Sequence, residues 1–299
     1  MIPPSDLQAI SDVLPSWGAE LGFSGVAVSR VELDADHDLL TQWVEQGRHA
    51  GMDWLPRSLP LRRDPQTVHP GTLSIISVKQ PCWSDDLEHA RQVLRQPNTG
   101  YIARYALGRD YHKSLRQGLR KLGQRLQAAA PEVRFRVATD SAPLLEKALA
   151  RDASLGWIGK NTLLLDGVDG SRFLLGEILT DLPLPPSTQP QQKDGCGECM
   201  ACLNVCPTQA FTAARQLDAR RCIAYWTIEH KGSIPLAFRA AIGNRIFGCD
   251  DCQLVCPWNR LASSPVPADF DARHGLDAPA LLDLCLLYTS PSPRDLSTS

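Results

Sequence analysis

The sequence predicts an α+β protein in three parts: a mixed α/β domain over residues 1–185, a cysteine-rich domain over 186–260, and a helical region over 261–299 that stops short. Three observations predict this. Helix-period and strand-period patterns alternate through the first part. A stretch rich in Pro, Gln and Ser then runs from Asp181 to Gly195 and marks a boundary. Eight of the ten cysteines follow it, between Cys196 and Cys256. With 299 residues, 43% hydrophobic and 21% charged, the chain has material for one large or two modest domains. A net charge of -2 means that any contact with nucleic acid must come from a local patch.

In chain order, Leu7 to Leu21 has helical periodicity and leads into a strand, Gly25 to Ser29. Asp34 to Gly47 reads as a second helix, its acidic start suited to the helix dipole. Ser74–Val78, Arg134–Ala138 and Arg172–Leu179 read as buried strands. Between them, from about Asp110 to Ala129, Leu115, Leu119, Leu122 and Leu126 fall on one helical face and should pack inward. Arg109, Lys113, Arg116 and Arg120 recur at the same spacing on another face. Such a stripe is either a solvated face or a track for a phosphate backbone. After Ala278–Leu284, which begins like a helix, the Ser/Pro/Thr-rich close cannot build a core. It is expected to be a disordered or foreign tail.

The start of the chain lacks the basic and apolar regions of an export signal. No apolar run approaches the ~20 residues that cross a bilayer. A cytoplasmic protein without a membrane partner is expected, and its cysteines should therefore be reduced.

The cysteine runs carry the strongest chemical signal. The first, Cys196-Gly-Glu-Cys199-Met-Ala-Cys202-Leu-Asn-Val-Cys206-Pro207, is the C-x2-C-x2-C-x3-C-P pattern of two-cluster ferredoxins. There three thiolates hold one 4Fe–4S cluster and the fourth reaches to the other. The second, Cys249-Asp-Asp-Cys252-Gln-Leu-Val-Cys256-Pro257, has Ile246 where its first cysteine would fall. Cys222 is the natural substitute. Cys196, Cys199, Cys202 and Cys256 would then hold one cluster, and Cys206, Cys222, Cys249 and Cys252 the other. Two all-thiolate zinc sites are the competing reading, but zinc has no use for the repeated x3-Cys-Pro. Cys82 and Cys285 are left over and should be small buried hydrophobes.

Outside the cysteines, Asp140 stands where a strand gives way to a helix, in Ala138-Thr-Asp140-Ser-Ala-Pro-Leu-Leu-Glu146. Two readings stay open: a helix N-cap, or a carboxyl group at the strand end where ligands of α/β sheets gather. Gly156-Trp-Ile-Gly-Lys160-Asn161 suggests a tight loop with close backbone approach to something.

Together the Asp140 segment, Gly156–Asn161, Arg104–Lys113, the cysteine array and Gly248–Asn259 resemble the epoxyqueuosine reductase family, from about residue 5 to 284. The resemblance implies a cytoplasmic enzyme with two 4Fe–4S clusters and cobalamin that reduces epoxyqueuosine in tRNA to queuosine. It implies a corrinoid-binding first domain, with Arg63, Tyr105, Asp140, Lys160 and Asn161 as contacts. The partners it implies are tRNA carrying epoxyqueuosine and an electron donor of flavodoxin or ferredoxin type. A monomer is expected. Ser141 stands where some members have Thr, and the helical C-terminal region of longer members is not in this sequence.

No Asp-x-His-x-x-Gly cobalamin motif is present, so the corrinoid rests on resemblance alone. Opening an epoxide puts negative charge on oxygen and calls for a proton donor within hydrogen-bond reach. The resemblance gives that role to Asp140. An aspartate donating near neutral pH needs its pKa raised above about 3.9, by burial or a neighbouring negative charge. Two rivals remain: a corrinoid and iron–sulfur reductive dehalogenase, and a ferredoxin-type electron carrier with no chemistry of its own. The second leaves the Asp140 and Lys160 segments unexplained.

Overall fold

The computed structural model describes residues 3–84, 86–187 and 192–284. The elements are α1 (Pro4–Glu20), β1 (Gly25–Ser29), α2 (Asp34–Glu45), α3 (Trp54–Arg63), β2 (Ser74–Pro81), α4 (Leu87–Arg95), β3 (Tyr101–Ile102), α5 (Tyr111–Ala129), β4 (Phe135–Ala138) and α6 (Glu146–Asp152). They continue with β5 (Trp157–Ile158), β6 (Leu164–Leu165), β7 (Phe173–Thr180), α7 (Ala201–Val205), β8 (Phe211–Ala213), β9 (Gln216–Leu217), α8 (Leu236–Ile242), β10 (Arg245–Phe247) and α9 (Asp251–Leu254). A π-helical turn, Tyr225–Glu229, precedes α8.

The central sheet has the order β1-β2-β7-β4, and each neighbouring pair is antiparallel. Side chains alternate across its two faces, and both faces are covered. Val26, Val28, Ile76, Val78 and Ile178 meet α1 and the Leu115, Leu119, Leu122 and Leu126 face of α5. Burying each of those leucines stabilises by roughly 1.5–3 kcal/mol. The helix can approach because β7 carries Gly176, where a Cβ would lie 2.9 Å from Leu119 Cδ1. On the opposite face Ile75, Ala138 and Leu179 pack with Leu144 and Leu149 around α6.

The antiparallel sheet corrects one expectation. Asp140 does follow the carboxyl end of β4, but the strand-end rule for ligands belongs to parallel α/β sheets. What places this carboxyl group is its own turn.

The cysteine-rich part is stitched to the sheet domain. β10 pairs in parallel with β3, and Asn259, fully buried, accepts from Ser171 N at 2.6 Å. Buried Asp250 accepts from the Tyr101 hydroxyl at 2.7 Å and from Arg104 N at 2.8 Å. Burial pushes the Asp250 carboxyl up to about 6, against the pull of those donors. Cys82 is buried. Cys285 and the Ser/Pro/Thr-rich close lie outside the described residues, and a helical turn has begun by Leu284. Among the described residues no helix is long and apolar enough to cross a membrane.

Candidate functional site

The thiols form two neighbouring groups. Burial, then the charges of Cys196, Cys256 and Cys199, push the Cys202 thiol up, so these four side chains share one space. Burial raises Cys222, which also feels Cys206, and raises Cys252, which feels Cys222. Cys249 lies in turn beside Cys252. The last cysteine of each run therefore stands with the other run's group. Cys202 and Cys252 feel each other, so the groups adjoin. A cavity of about 220 Å³ opens against the first group, lined by Cys196, Cys199, Cys202, Cys256, Lys160 and Trp258 among others. Cys199 is exposed.

Lys160 and Asn161 belong to this cavity and not to the surroundings of Asp140. The Lys160 ammonium donates to the Gly197 carbonyl at 2.6 Å and the Cys199 carbonyl at 3.0 Å, tying the β5–β6 loop to the first cysteine run. Asn161 is buried and accepts from Leu163 N at 3.3 Å.

Asp140 lines a second, larger cavity of about 500 Å³ with Trp54, Leu61, Arg62, Pro143 and Glu229. Its φ is +57°, in the left-handed region that Asp tolerates better than most residues. It does not cap a helix: α6 starts only at Glu146, behind Leu145, with no side-chain cap. The turn is instead tethered from α5 and α6. The Tyr111 hydroxyl donates to Asp140 Oδ2 at 2.9 Å, and His112 Nε2 lies 3.0 Å from the same oxygen. His112 Nδ1 is 2.9 Å from Asp110, whose carboxyl the imidazole holds below its ordinary range. Burial, then the Asp140 charge, raises the Tyr111 phenol far up. Arg116 donates to the Ser141 hydroxyl at 2.7 Å, and Asp140 N donates to Glu146 Oε1 at 2.6 Å.

Tyr105 stands beside this site, its ring edge-on to Tyr111 with centroids 5.8 Å apart. Burial, then the charges of Asp250 and Asp140, pushes its phenol up to about 12. Arg63 is not brought to the cavity. It points from the end of α3 to Asp34 on α2, 3.3 Å away, while its neighbour Arg62 lines the wall. Consecutive helical residues point about 100° apart, so only one of the pair can face the cleft. Arg62 donates to the Leu144 carbonyl at 2.7 Å, and burial lowers its pKa against the pull of Glu146 and Asp140.

Tyr111 and His112 lie inside the Arg104–Lys113 segment and Glu146 ends the Asp140 segment, but the sequence alone gives no role to them, nor to Arg62 or Glu177. Glu177 left a signal: an acid inside the otherwise apolar run Phe-Leu-Leu-Gly-Glu-Ile-Leu.

Family models match two segments. One, described as a 4Fe-4S double cluster binding domain, covers residues 195–259, and one described as Epoxyqueuosine reductase QueG, DUF1730 covers residues 62–141. An epoxyqueuosine reductase of Pseudomonas aeruginosa is 48% identical over 285 residues, which is 95% of this chain and 78% of that protein. The chain belongs to the epoxyqueuosine reductase family. It is by that membership an oxidoreductase, and its cysteine-rich part is a double-cluster domain.

Solved structures of the family superpose closely. One of epoxyqueuosine reductase with an epoxyqueuosine-modified tRNA-Tyr stem loop has a TM-score of 0.82 at 28% identity, covering 96% of this chain and 74% of that one. Another, from Bacillus subtilis, has a TM-score of 0.83 at 27% identity and the same coverage, and is described with its catalytic aspartate loop swung out of the active site. A reductive dehalogenase described in terms of B12-dependent dehalogenation has a TM-score of 0.51 at 16% identity over 98% of this chain and 36% of that one. That likeness is one of fold alone.

Proposed function

We propose that this chain reduces the epoxide of epoxyqueuosine in the tRNA anticodon loop to the cyclopentene of queuosine, with Asp140 as the proton donor. The single observation that carries the reading is the Asp140 turn: a carboxyl group held by Tyr111 and His112 at the wall of a cleft, in a chain that also gathers two groups of cysteine thiols. The name of the tRNA-bound relative supports the substrate. Cytoplasmic action follows from a tRNA substrate.

The residues fit the groups that this reaction needs. Each thiol group can present four ligands to a 4Fe–4S cluster: Cys196, Cys199, Cys202 and Cys256 to one, and Cys206, Cys222, Cys249 and Cys252 to the other. The Asp140 cleft has an apolar wall of Trp54, Leu61 and Pro143 and a charged rim of Arg62, Asp140 and Glu229, which suits a flat macrocycle with amide arms. Residues 1–185 would bind the corrinoid and the base, and 186–260 the clusters. Of the residues that the resemblance pointed to, Tyr105 and Asp140 would face the corrinoid, while Lys160 and Asn161 would support the first cluster loop. When bound, cobalamin would supply a strongly nucleophilic low-valent cobalt, and the clusters single electrons from a donor of flavodoxin or ferredoxin type.

The chain's own residues handle the proton and the position. Deoxygenation consumes two electrons and two protons: both C–O bonds of the epoxide break, a C=C bond forms, and the oxygen leaves as water. As the first C–O bond opens, Asp140 protonates the emerging alkoxide, the share of catalysis open to a placed general acid. Tyr111 donates to Oδ2 and holds the carboxyl's rotamer. His112, with Asp110 at its other nitrogen, can return a proton to Asp140, which then gives the second proton as the oxygen leaves as water. The base must be turned out of the anticodon stack to reach the cleft, as bases acted on by enzymes are.

Anaerobic reconstitution with iron, sulfide and cobalamin, assayed on tRNA carrying epoxyqueuosine, tests the function. The nucleoside released afterwards should be lighter by one oxygen atom. Unchanged tRNA from protein loaded with both cofactors would contradict the proposal.

A further inference from the structure

The two thiol groups differ in the charges set around them. Among the described residues that line the cavity at the first group, Lys160 carries the one charged side chain apart from the thiols, beside Asn161, Leu165 and Trp258. Its ammonium reaches from the β5–β6 loop to the Gly197 carbonyl at 2.6 Å and the Cys199 carbonyl at 3.0 Å, and it lies 3.7 Å from the Met200 sulfur. None of these partners is an acid, so the positive charge is not neutralised where it stands. The acids of this region are engaged or in water. Asp194 accepts from Cys196 N at 2.9 Å and pairs with Arg215, and Glu198 is exposed.

Around the second group the charges are matched. Asp251 lies 2.9 Å from Cys249 Sγ and is held by Arg245 through bonds of 2.6 and 2.5 Å. Buried Asp250 accepts from Arg104 N and the Tyr101 hydroxyl, and the Arg104 guanidinium stands over the Tyr101 ring, 4.5 Å from its centroid. Each acid of the second run thus has an arginine beside it, while the ammonium at the first run has no carboxylate.

We propose that Lys160 sets the reduction potential of the cluster held by Cys196, Cys199, Cys202 and Cys256, and raises it above that of the second cluster. The proposal rests on the reading of these thiols as cluster ligands. It makes Lys160 a tuning residue that acts by its charge and never touches the substrate. Reduction moves one electron from the donor onto a site already rich in negative thiolates. A fixed positive charge close by stabilises the reduced form more than the oxidised one, so the potential rises. Net charge and hydrogen bonding around the sulfurs are the levers by which a protein shifts such clusters. An entering electron therefore settles first on the first cluster, whose Cys199 is exposed. The second cluster stays the stronger reductant, on the side where Cys222 leads into the Tyr225–Glu229 turn and Glu229 lines the Asp140 cleft.

The test is an anaerobic redox titration of the reconstituted holoenzyme, followed by electron paramagnetic resonance, with iron counted in every sample. Wild type should hold about eight iron atoms and show two midpoints. Lys160→Gln keeps an N–H donor for the two carbonyls but removes the charge. Its higher midpoint should move down and its lower one stay in place. At the wild-type midpoint, the ratio of reduced to oxidised first cluster should fall roughly tenfold, the order expected of one nearby charge at a partly screened site. Lys160→Arg, which keeps the charge, should restore the wild-type value. Cys222→Ala, left with the first cluster alone, should titrate at the higher of the two wild-type midpoints. That measurement decides the order of the clusters even if Lys160→Gln takes up no first cluster. Midpoints unmoved in Lys160→Gln, an equal fall in the Gln and Arg variants, or a lower midpoint in Cys222→Ala would each overturn the proposal. Loss of the first cluster from both Lys160 variants would do the same, by making Lys160 a structural tie. Wild-type protein that takes up no iron would overturn the cluster reading itself, and the iron count keeps that outcome separate.

Discussion

The thiol region and the Asp140 turn hold their functional groups by opposite means. Around the thiols the support is local: Cys199 N donates to Cys196 O at 2.9 Å, Gln209 N to Cys206 O at 3.1 Å, and Cys256 N to Gln253 O at 3.1 Å. These turns bring sulfurs together but leave their charge unbalanced, and burial with mutual repulsion raises several of the thiols. Iron is what makes thiolates stable there. Around Asp140 the support is remote and complete without a metal. Tyr111, His112, Arg116 and Glu146 reach the turn from α5 and α6, and each contact is an ordinary hydrogen bond. The difference teaches which half of the site depends on loading. Removing cofactors should loosen the cysteine runs and leave the Asp140 turn in place.

The largest break in this contrast comes from Cys222→Ala. It removes a thiol from the second group only, so iron should fall from about eight to about four per chain, the content of one cluster instead of two. Turnover should be lost, while hydrogen exchange at the Asp140 turn stays as in the wild type. Iron remaining near eight would remove Cys222 from the ligand set.

The smallest expected effect is on the basic face of α5, which the structure divides. Arg109 is paired with Asp269 at 3.0 Å and Arg116 is committed to Ser141, so only Lys113 and Arg120 stay candidates for phosphate contacts. Reversing both to Glu should weaken tRNA binding and flatten its salt dependence by roughly 0.7–0.9 in log–log slope per lost contact. Iron content and the Asp140 turn should be unchanged. An unaltered slope would make this stripe a solvated face.

The same contrast explains what could be read before the fold was known. Cysteine spacing is a local property, so the two runs and the missing first cysteine of the second, at Ile246, are visible in the chain itself. The inward leucine face of α5 is equally local and lies buried as its period requires. The Asp140 site is not local. Nothing in the spacing says that Glu177, in a strand formed later in the chain, will lie opposite Ala138, two residues before Asp140, because that follows from β4 pairing with β7. Nor does the sequence show which of Arg62 and Arg63 faces the cleft, since that depends on how α3 is rotated against the Asp140 turn. The direction of strand pairing was also hidden, as short apolar runs look alike in parallel and antiparallel sheets.

Asp140→Asn tests the central claim most directly. Asparagine keeps the size of the side chain and can still accept from the Tyr111 hydroxyl, but it is not a carboxylic acid. The helix-cap alternative is gone, because α6 begins beyond the turn. The variant should fold, take up iron and cobalamin as the wild type does, bind tRNA with unchanged affinity, and lose roughly 10²–10⁴-fold in turnover, the share of a general acid. Turnover equal to the wild type in a fully loaded Asp140→Asn enzyme would contradict the account.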